Sequence, residues 1–324
     1  MLNETASDVL LRVKGLSKHY DVARGISSKR GGSVRAVDGV DLFVRRGETL
    51  GIVDESGCGK STLGQLLMHL TTPTAGEIWF DGELVTPRSL SHARKGMQMI
   101  FQDPYSSLNP RMKVKHIIAE PLRIRRWGSK RQIENRVREL LIAVGLSEQH
   151  MNNYVHAFSG GQRQRIGIAR SLALRPQLIV CDEPVSALDV SIQAQVLSLL
   201  KQLQDEHGIA YVFIGHGLPA VKYISHRIAV MYLGKFVELA DKTTLFRTPR
   251  HPYTKGLISS IPIPDPRMRK ERNLVRGELP DPGNPPKGCA FQARCPYAQP
   301  RCREERPQWR EIEDDHFVAC HFPL

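Results

Sequence analysis

The chain has 324 residues, enough for two domains or for one ordinary domain with an appendage. Hydrophobic residues make up 41% and charged residues 24%, a globular composition that excludes a disordered or collagen-like chain. Lysine and arginine number 46 against 33 aspartates and glutamates, a formal charge of +13 that favours anionic partners or surfaces without naming them.

No run approaches the roughly 18 to 20 apolar residues that a bilayer crossing needs. The N-terminus carries Glu4 and Asp8 and lacks the apolar core of a secretory signal, so the chain is expected to stay in the cytosol. Its basic residues are spread along the chain, and no nucleic-acid motif interrupts them. The expected setting is a basic surface beside a membrane-embedded partner, where anionic lipid favours Lys and Arg; nucleic acid is not an expected partner.

Taken in order, the first strong element is the apolar strand Thr49 to Val53. It is followed by Ser56-Gly57-Cys58-Gly59-Lys60-Ser61-Thr62 and then by Leu63, Leu66, Leu67 and Leu70 at helical spacing. Further strands are expected at Met97 to Phe101, Leu178 to Cys181 and Ala210 to Ile214. Between them, Ile133, Val137, Leu140, Leu141 and Val144 form one helical stripe that stops at Gly145. Val196, Leu199, Leu200 and Leu203 form another, stopping at Gly208. Buried strands alternating with helices imply a mainly parallel α/β core. Past residue 250 the prolines at 262, 264, 266, 280, 282, 285 and 286 predict loops wrapping over a surface.

The strand, glycine loop and helix form a phosphate site. The pattern G-x-x-x-x-G-K-[ST] is met at Gly59-Lys60-Ser61, but its first glycine is Asp54, followed by Glu55 and Ser56. Gly57 and Gly59 let backbone N–H groups converge, Lys60 supplies a cation for phosphates, and Ser61 offers a hydroxyl to Mg²⁺. Cys58 sits near a helix N-terminus but has no partner base, and is expected to be structural. The apolar strand ending in Asp182-Glu183 places two carboxylates at the carboxyl edge of a parallel sheet, one to hold Mg²⁺ and one to activate water. Ser159-Gly160-Gly161-Gln162 caps a helix reaching to about Leu174, a second anion site that a single chain does not need.

With Phe101-Gln102, Ser186-Ala187-Leu188-Asp189 and His216 added, these elements in this order resemble the ATP-binding-cassette (ABC) ATPases. The resemblance implies an α/β P-loop nucleotide-binding domain with antiparallel β and helical subdomains. It also implies ATP and Mg²⁺ held between the P-loop of one subunit and the Ser159 segment of another. In that picture Gln102 senses Mg²⁺ and the transporter, Asp189 makes a cross-dimer contact, His216 is the switch at the γ-phosphate, and Tyr20 stacks on adenine. The chain departs from the family at Asp54 and at Gly215 and Gly217, which flank His216 where relatives usually carry serine and aspartate. If residue 54 needs a positive φ, a side chain there costs about 1 kcal/mol. If its carboxylate faces the phosphates, repulsion reaches about 4 kcal/mol per charge at an effective dielectric near 20. Either effect would weaken the ATP site.

Four of the six cysteines, Cys289, Cys295, Cys302 and Cys320, crowd the final 36 residues. Their spacing lacks the paired knuckles of common zinc sites, and in a reducing compartment it suggests shared metal or cluster ligation, with unrelated buried thiols as the alternative. His251-Pro252-Tyr253, Gly288-Cys289, Arg294-Cys295-Pro296, Cys302-Arg303 and Cys320-His321, with Ser106-Ser107-Leu108-Asn109-Pro110, resemble the dipeptide and oligopeptide importer ATPases. This narrower resemblance implies an ATP-binding domain over 10–250, a loop-rich cysteine-containing region over 251–324, and a [4Fe–4S] cluster on the four thiols. It implies two permease subunits, a second ATPase subunit and an extracytoplasmic peptide-binding protein as partners, at the cytoplasmic face of the inner membrane. The alternatives are a non-hydrolysing partner subunit crippled by Asp54 and a soluble cassette ATPase acting on nucleic acid.

Overall fold

Strands buried along their whole length form the centre of the molecule. The structure, a computed structural model, describes residues 8–21, 33–55, 57–261, 277–278, 280–281, 283 and 285–324. Ser56 and the prolines at 262, 264, 266 and 282 lie outside the described residues.

The first described elements are two long antiparallel strands, β1 (Val9–Asp21) and β2 (Ser33–Arg45), whose alternating apolar residues bury one face. The fully buried β3 (Thr49–Val53) runs into the glycine loop and α1 (Lys60–Leu67). Next, β4 (Ala75–Phe80) and β5 (Glu83–Leu84) complete a four-stranded antiparallel sheet in the order β2-β1-β4-β5. Helix α2 (Leu90–Gly96) leads into β6 (Met97–Ile100). A helical layer follows, made of α3 (Pro104–Ser107), α4 (Val114–Ile124), α5 (Lys130–Ala143) and α6 (Gly160–Ser171). Alternation then resumes with β7 (Leu178–Asp182), α7 (Val190–His207), β8 (Ala210–Ile214), α8 (Leu218–Ile224), β9 (Arg227–Tyr232) and β10 (Lys235–Asp241). The C-terminal part adds α9 (Lys242–Arg247), α10 (Pro252–Ser259), α11 (Pro300–Glu304), β11 (Arg310–Glu313) and β12 (His316–Val318).

The central sheet has eight strands in the order β11-β12-β10-β9-β3-β8-β7-β6. Strands β6, β7, β8, β3 and β9 are parallel, so the carboxyl ends of β6, β7, β8 and β3 share one edge. The expected helices form where the apolar stripes predict them. Helix α5 starts at a capping box, with Ser129 and Gln132 bonding each other's backbone N–H, and the chain turns at left-handed Gly145. Left-handed Gly208 ends α7. The stripes of α4, α5 and α6 meet in one core through Ile118, Leu122, Val137, Leu141 and Ile166.

Four expectations shift. Leu70 lies beyond the end of α1 and is exposed, because the helix stops at Leu67 and the chain turns at His69 with a positive φ. Strand β6 ends at Ile100 rather than Phe101, and α6 ends at Ser171 rather than near Leu174. The C-terminal region is also less loop-like than its prolines predict. The hairpin β11-β12 joins the central sheet, pairing Leu239 with Phe317. Buried Glu238 secures that junction by accepting hydrogen bonds from Arg250 N–H, His251 N–H and His316 Nε2 at 2.7, 2.9 and 2.8 Å.

Candidate functional site

Residues Gly57 to Thr62, Gln102, Glu183 and His216 line one cleft of about 490 Å³ at the carboxyl edge of the parallel strands. Its far wall is Val34, Arg35 and Ala36 of β2 with Leu233 and Gly234 of the β9–β10 turn. The cleft forms here because β3, β6, β7 and β8 each deliver their following residues to the same edge.

Gly59 caps α1 with φ 101° and presents no side chain to the first-turn N–H groups, leaving them for an anion. A β-carbon at Gly59 would lie 1.9 Å from the carbonyl oxygen of Ala36, so glycine is required there by space as well as by φ. Lys60 is buried, which lowers its pKa against the opposing pull of the Glu183 and Asp182 carboxylates. Its ammonium pairs directly with Asp54, whose carboxylate has no exposed side-chain surface.

Asp54 does not adopt a positive φ, so the expected backbone strain at this position is absent. The electrostatic concern takes another form: the carboxylate lies outside the cleft lining and occupies the cation that would hold phosphate. Cys58 is buried and its thiol pKa is raised by desolvation, in keeping with a structural role.

Ser61 Oγ donates to Asp182 Oδ1 at 3.1 Å. Burial raises the Asp182 pKa, while the Ser61 hydrogen bond and Lys60 lower it. This hydroxyl and carboxylate supply hard oxygen donors that fit Mg²⁺, which takes few protein ligands and completes its shell with phosphate and water. Beside them, Glu183 Oε2 accepts from Gln102 Nε2 at 3.1 Å and lies 3.1 Å from His216 Nδ1. Glu183 has φ 45°, a left-handed conformation rare for a non-glycine residue and characteristic of functional positions. Two residues, Gln102 after β6 and His216 after β8, thus converge on one carboxylate oxygen of Glu183, which follows β7.

Other expected residues lie elsewhere. Glu55 does not line the cleft; its carboxylate faces Arg294 of the C-terminal region. Tyr20 lies one residue before the end of β1, is 41% exposed and does not line the cleft, although its strand partner Val34 does. Ser159, Gly160, Gly161 and Gln162 are also absent from the cleft. They form the α6 N-terminus, where Ser159 and Gln162 make a capping box. The expected second anion site therefore has its Gln162 N–H occupied within the chain. Asp189 caps α7 by position without a side-chain hydrogen bond and is exposed.

The four C-terminal cysteines are all free thiols. Among the described residues no three His, Cys, Asp or Glu side chains gather closely enough to hold a metal ion, so a preformed cluster or zinc site is not found at Cys289, Cys295, Cys302 and Cys320. Desolvation, and then the neighbouring cysteines, push the Cys289 thiol up to about 11. Cys289 and Cys295 pack against the main core and Cys302 is buried.

The sequence reading missed the residues that grip the loop from outside. Glu55 N–H donates to Tyr253 Oη at 3.0 Å, and Gly234 N–H donates to the Cys58 carbonyl at 3.1 Å. The His251-Pro252-Tyr253 pattern was visible; its contact with the P-loop was not.

The ABC transporter family matches residues 37–186, and the family described as the oligopeptide/dipeptide transporter C-terminal region matches residues 237–302. The putative oligopeptide transport ATP-binding protein YkfD of Bacillus subtilis is 54% identical over 319 residues, covering 96% of this chain and 95% of that protein. The oligopeptide transport ATP-binding protein AppF of the same organism is 49% identical over 320 residues, covering 97% of each. Among solved structures, cbiO1 of Clostridium perfringens, part of the cbiONQ ABC transporter complex, superposes with a TM-score of 0.64 at 26% identity, covering 74% of this chain and 91% of that one. The chain belongs to the ABC transporter family, as one of its ATPase subunits. Within that family it is the ATP-binding subunit of a peptide transporter of the oligopeptide/dipeptide group. Such a subunit works with a membrane permease and a second nucleotide-binding subunit, while among the described residues no helix is long and apolar enough to cross a membrane. The match supports an ATPase and lends no support to weakened turnover.

Proposed function

We propose that this chain binds and hydrolyses ATP in the cleft above Lys60, and that closure against a second ATPase subunit drives peptide import. The observation that carries this reading is the convergence of Gln102 and His216 on Glu183, next to the Ser61–Asp182 pair. Lys60 and the N–H groups of α1 bind the phosphates. Ser61 and Asp182, with Gln102, hold Mg²⁺, which supplies charge neutralisation when bound. Glu183 accepts the proton of the attacking water while Gln102 and His216 orient its carboxylate. Ser159, Gly160, Gly161 and Gln162 complete the site of the facing subunit, with Tyr20 beside the adenine.

Asp54 pairs with Lys60, so a phosphate bound there shares the ammonium with that carboxylate. The partners are two permease chains, a second ATPase and an extracytoplasmic peptide-binding protein, and the location is the cytoplasmic face of the inner membrane. Residues 10–250 carry ATP binding and 251–324 form the importer-type region. The C-terminal family match favours this reading over an ATPase acting on nucleic acid.

The test is peptide uptake and ATP turnover in membrane vesicles carrying the complete transporter, with Glu183→Gln as the variant. Turnover falls by about 10²- to 10⁴-fold while ATP binding is retained. Unchanged turnover removes Glu183 as the base, and uptake without ATP removes the coupling.

A further inference from the structure

The P-loop is anchored by the C-terminal region at a residue that takes no part in lining the nucleotide cleft. Arg294 donates to both oxygens of Glu55, from Nη1 to Oε2 at 2.6 Å and from Nη2 to Oε1 at 3.0 Å. This is a two-pronged guanidinium–carboxylate pair, the geometry that fixes both partners in orientation as well as distance. The Arg294 side chain is 5% exposed and that of Glu55 is 31% exposed. The Glu55 carboxylate raises the Arg294 pKa further, so the guanidinium stays charged.

The backbone of the same residue is held as well. Glu55 N–H donates to Tyr253 Oη at 3.0 Å, and Tyr253 is fully buried between Tyr232 and Phe291, with ring centroids 4.7 and 5.3 Å away. That aromatic cluster joins β9, α10 and the segment preceding Arg294, giving the hydroxyl a rigid mounting.

Glu55 follows Asp54, which pairs with Lys60 beneath the loop. The start of the P-loop is therefore tied on one side to its own lysine and on the other to a region more than 190 residues distant along the chain. Phosphate recognition by a glycine loop depends on several N–H groups pointing at one place, and a loop of glycines does not hold such a shape unaided. An external clamp at its first turn supplies that constraint.

We propose that Arg294 and Tyr253 are positioning residues for ATP binding, holding the first half of the P-loop in its phosphate-ready shape through the side chain and the N–H of Glu55. The inference rests on the reading of Gly57 to Thr62 as the nucleotide cradle.

The experiment measures Mg–ATP affinity of the full-length chain by titration, its melting temperature, and KM and kcat for ATP in the assembled transporter. Arg294→Ala raises Kd and KM by roughly ten-fold, the loss of one charge-assisted pair, with kcat at saturating ATP little changed. Tyr253→Phe keeps the ring packing, removes only the acceptor on Glu55 N–H, and raises Kd by a smaller factor. The exchange Glu55→Arg with Arg294→Glu recovers affinity relative to either single change. A lower melting temperature with unchanged Kd and KM in both Arg294→Ala and Tyr253→Phe overturns the proposal, because the contacts then stabilise the fold without shaping the loop. Lys60→Ala separates the two levels. If it abolishes ATP binding while the clamp variants bind normally, only this inference fails; if it leaves binding intact, the cradle reading fails and the inference with it.

Discussion

Replacing Asp54 by glycine tests the electrostatics of the P-loop directly. The Asp54 carboxylate and the Lys60 ammonium form a buried contact pair. Incoming phosphate must share or take over that ammonium, and it also meets the carboxylate's own charge. At about 4 Å and an effective dielectric near 20, one such repulsion is worth about 4 kcal/mol, an upper value before Mg²⁺ and the loop N–H groups offset it. A net gain on the order of 1–3 kcal/mol on removing the carboxylate corresponds to roughly five- to 150-fold tighter ATP binding. The free chain responds in the opposite sense, because removing one partner of a buried pair strands Lys60 at a cost of about 3–5 kcal/mol. Asp54→Gly therefore melts earlier than the parent without nucleotide and is stabilised more by Mg–ATP. Calorimetric titration and thermal melts with and without nucleotide read both effects. Equal affinities and equal nucleotide-induced melting shifts in the two proteins would refute the reasoning.

Two further predictions concern the C-terminal region. Burial holds His251 at a pKa of about 4, against the opposite pull of the Glu238 carboxylate, which also bonds His316. Between the unfolded value near 6.5 and that folded value, the unfolded chain binds the extra proton, so stability is full above pH ~6.5 and falls by up to about 3 kcal/mol as the pH drops to about 4. Urea midpoints across that window show the slope, and His251→Gln flattens it; an identical slope in the variant excludes His251 as the source. At pH 8, alkylation of Cys289 by iodoacetamide in the native chain is on the order of a hundred-fold slower than in the urea-unfolded chain, since the raised thiol pKa leaves little thiolate. Comparable rates in the two states contradict the raised thiol pKa of the half-buried Cys289.

The sequence alone determined the parts of this protein governed by short-range physics. The run Thr49–Val53 before a glycine loop reads as β3, the stripe from Ile133 to Val144 reads as α5, and Ser159 with Gln162 reads as a helix start, because each depends on neighbours within a turn or two. The positions of Gln102, Asp182, Glu183 and His216 at strand ends, and of Ser61 in the first turn of α1, were equally legible, since parallel strands present their carboxyl ends to one edge.

What the tertiary structure alone decided is which group meets which across long separations. Asp54 turns toward Lys60 without adopting the glycine-like backbone that its place in the motif suggested. The four C-terminal cysteines, spread over 32 residues of sequence, come within electrostatic reach of one another as free thiols, and a proline-rich tail ends in strands that extend the central sheet. Glu55 and Arg294 stand 239 residues apart, and no local pattern encodes their pairing. Backbone preference and apolar spacing act within a few residues; ion pairs, burial and sheet edges are settled only when distant segments compete for the same space and the same charge.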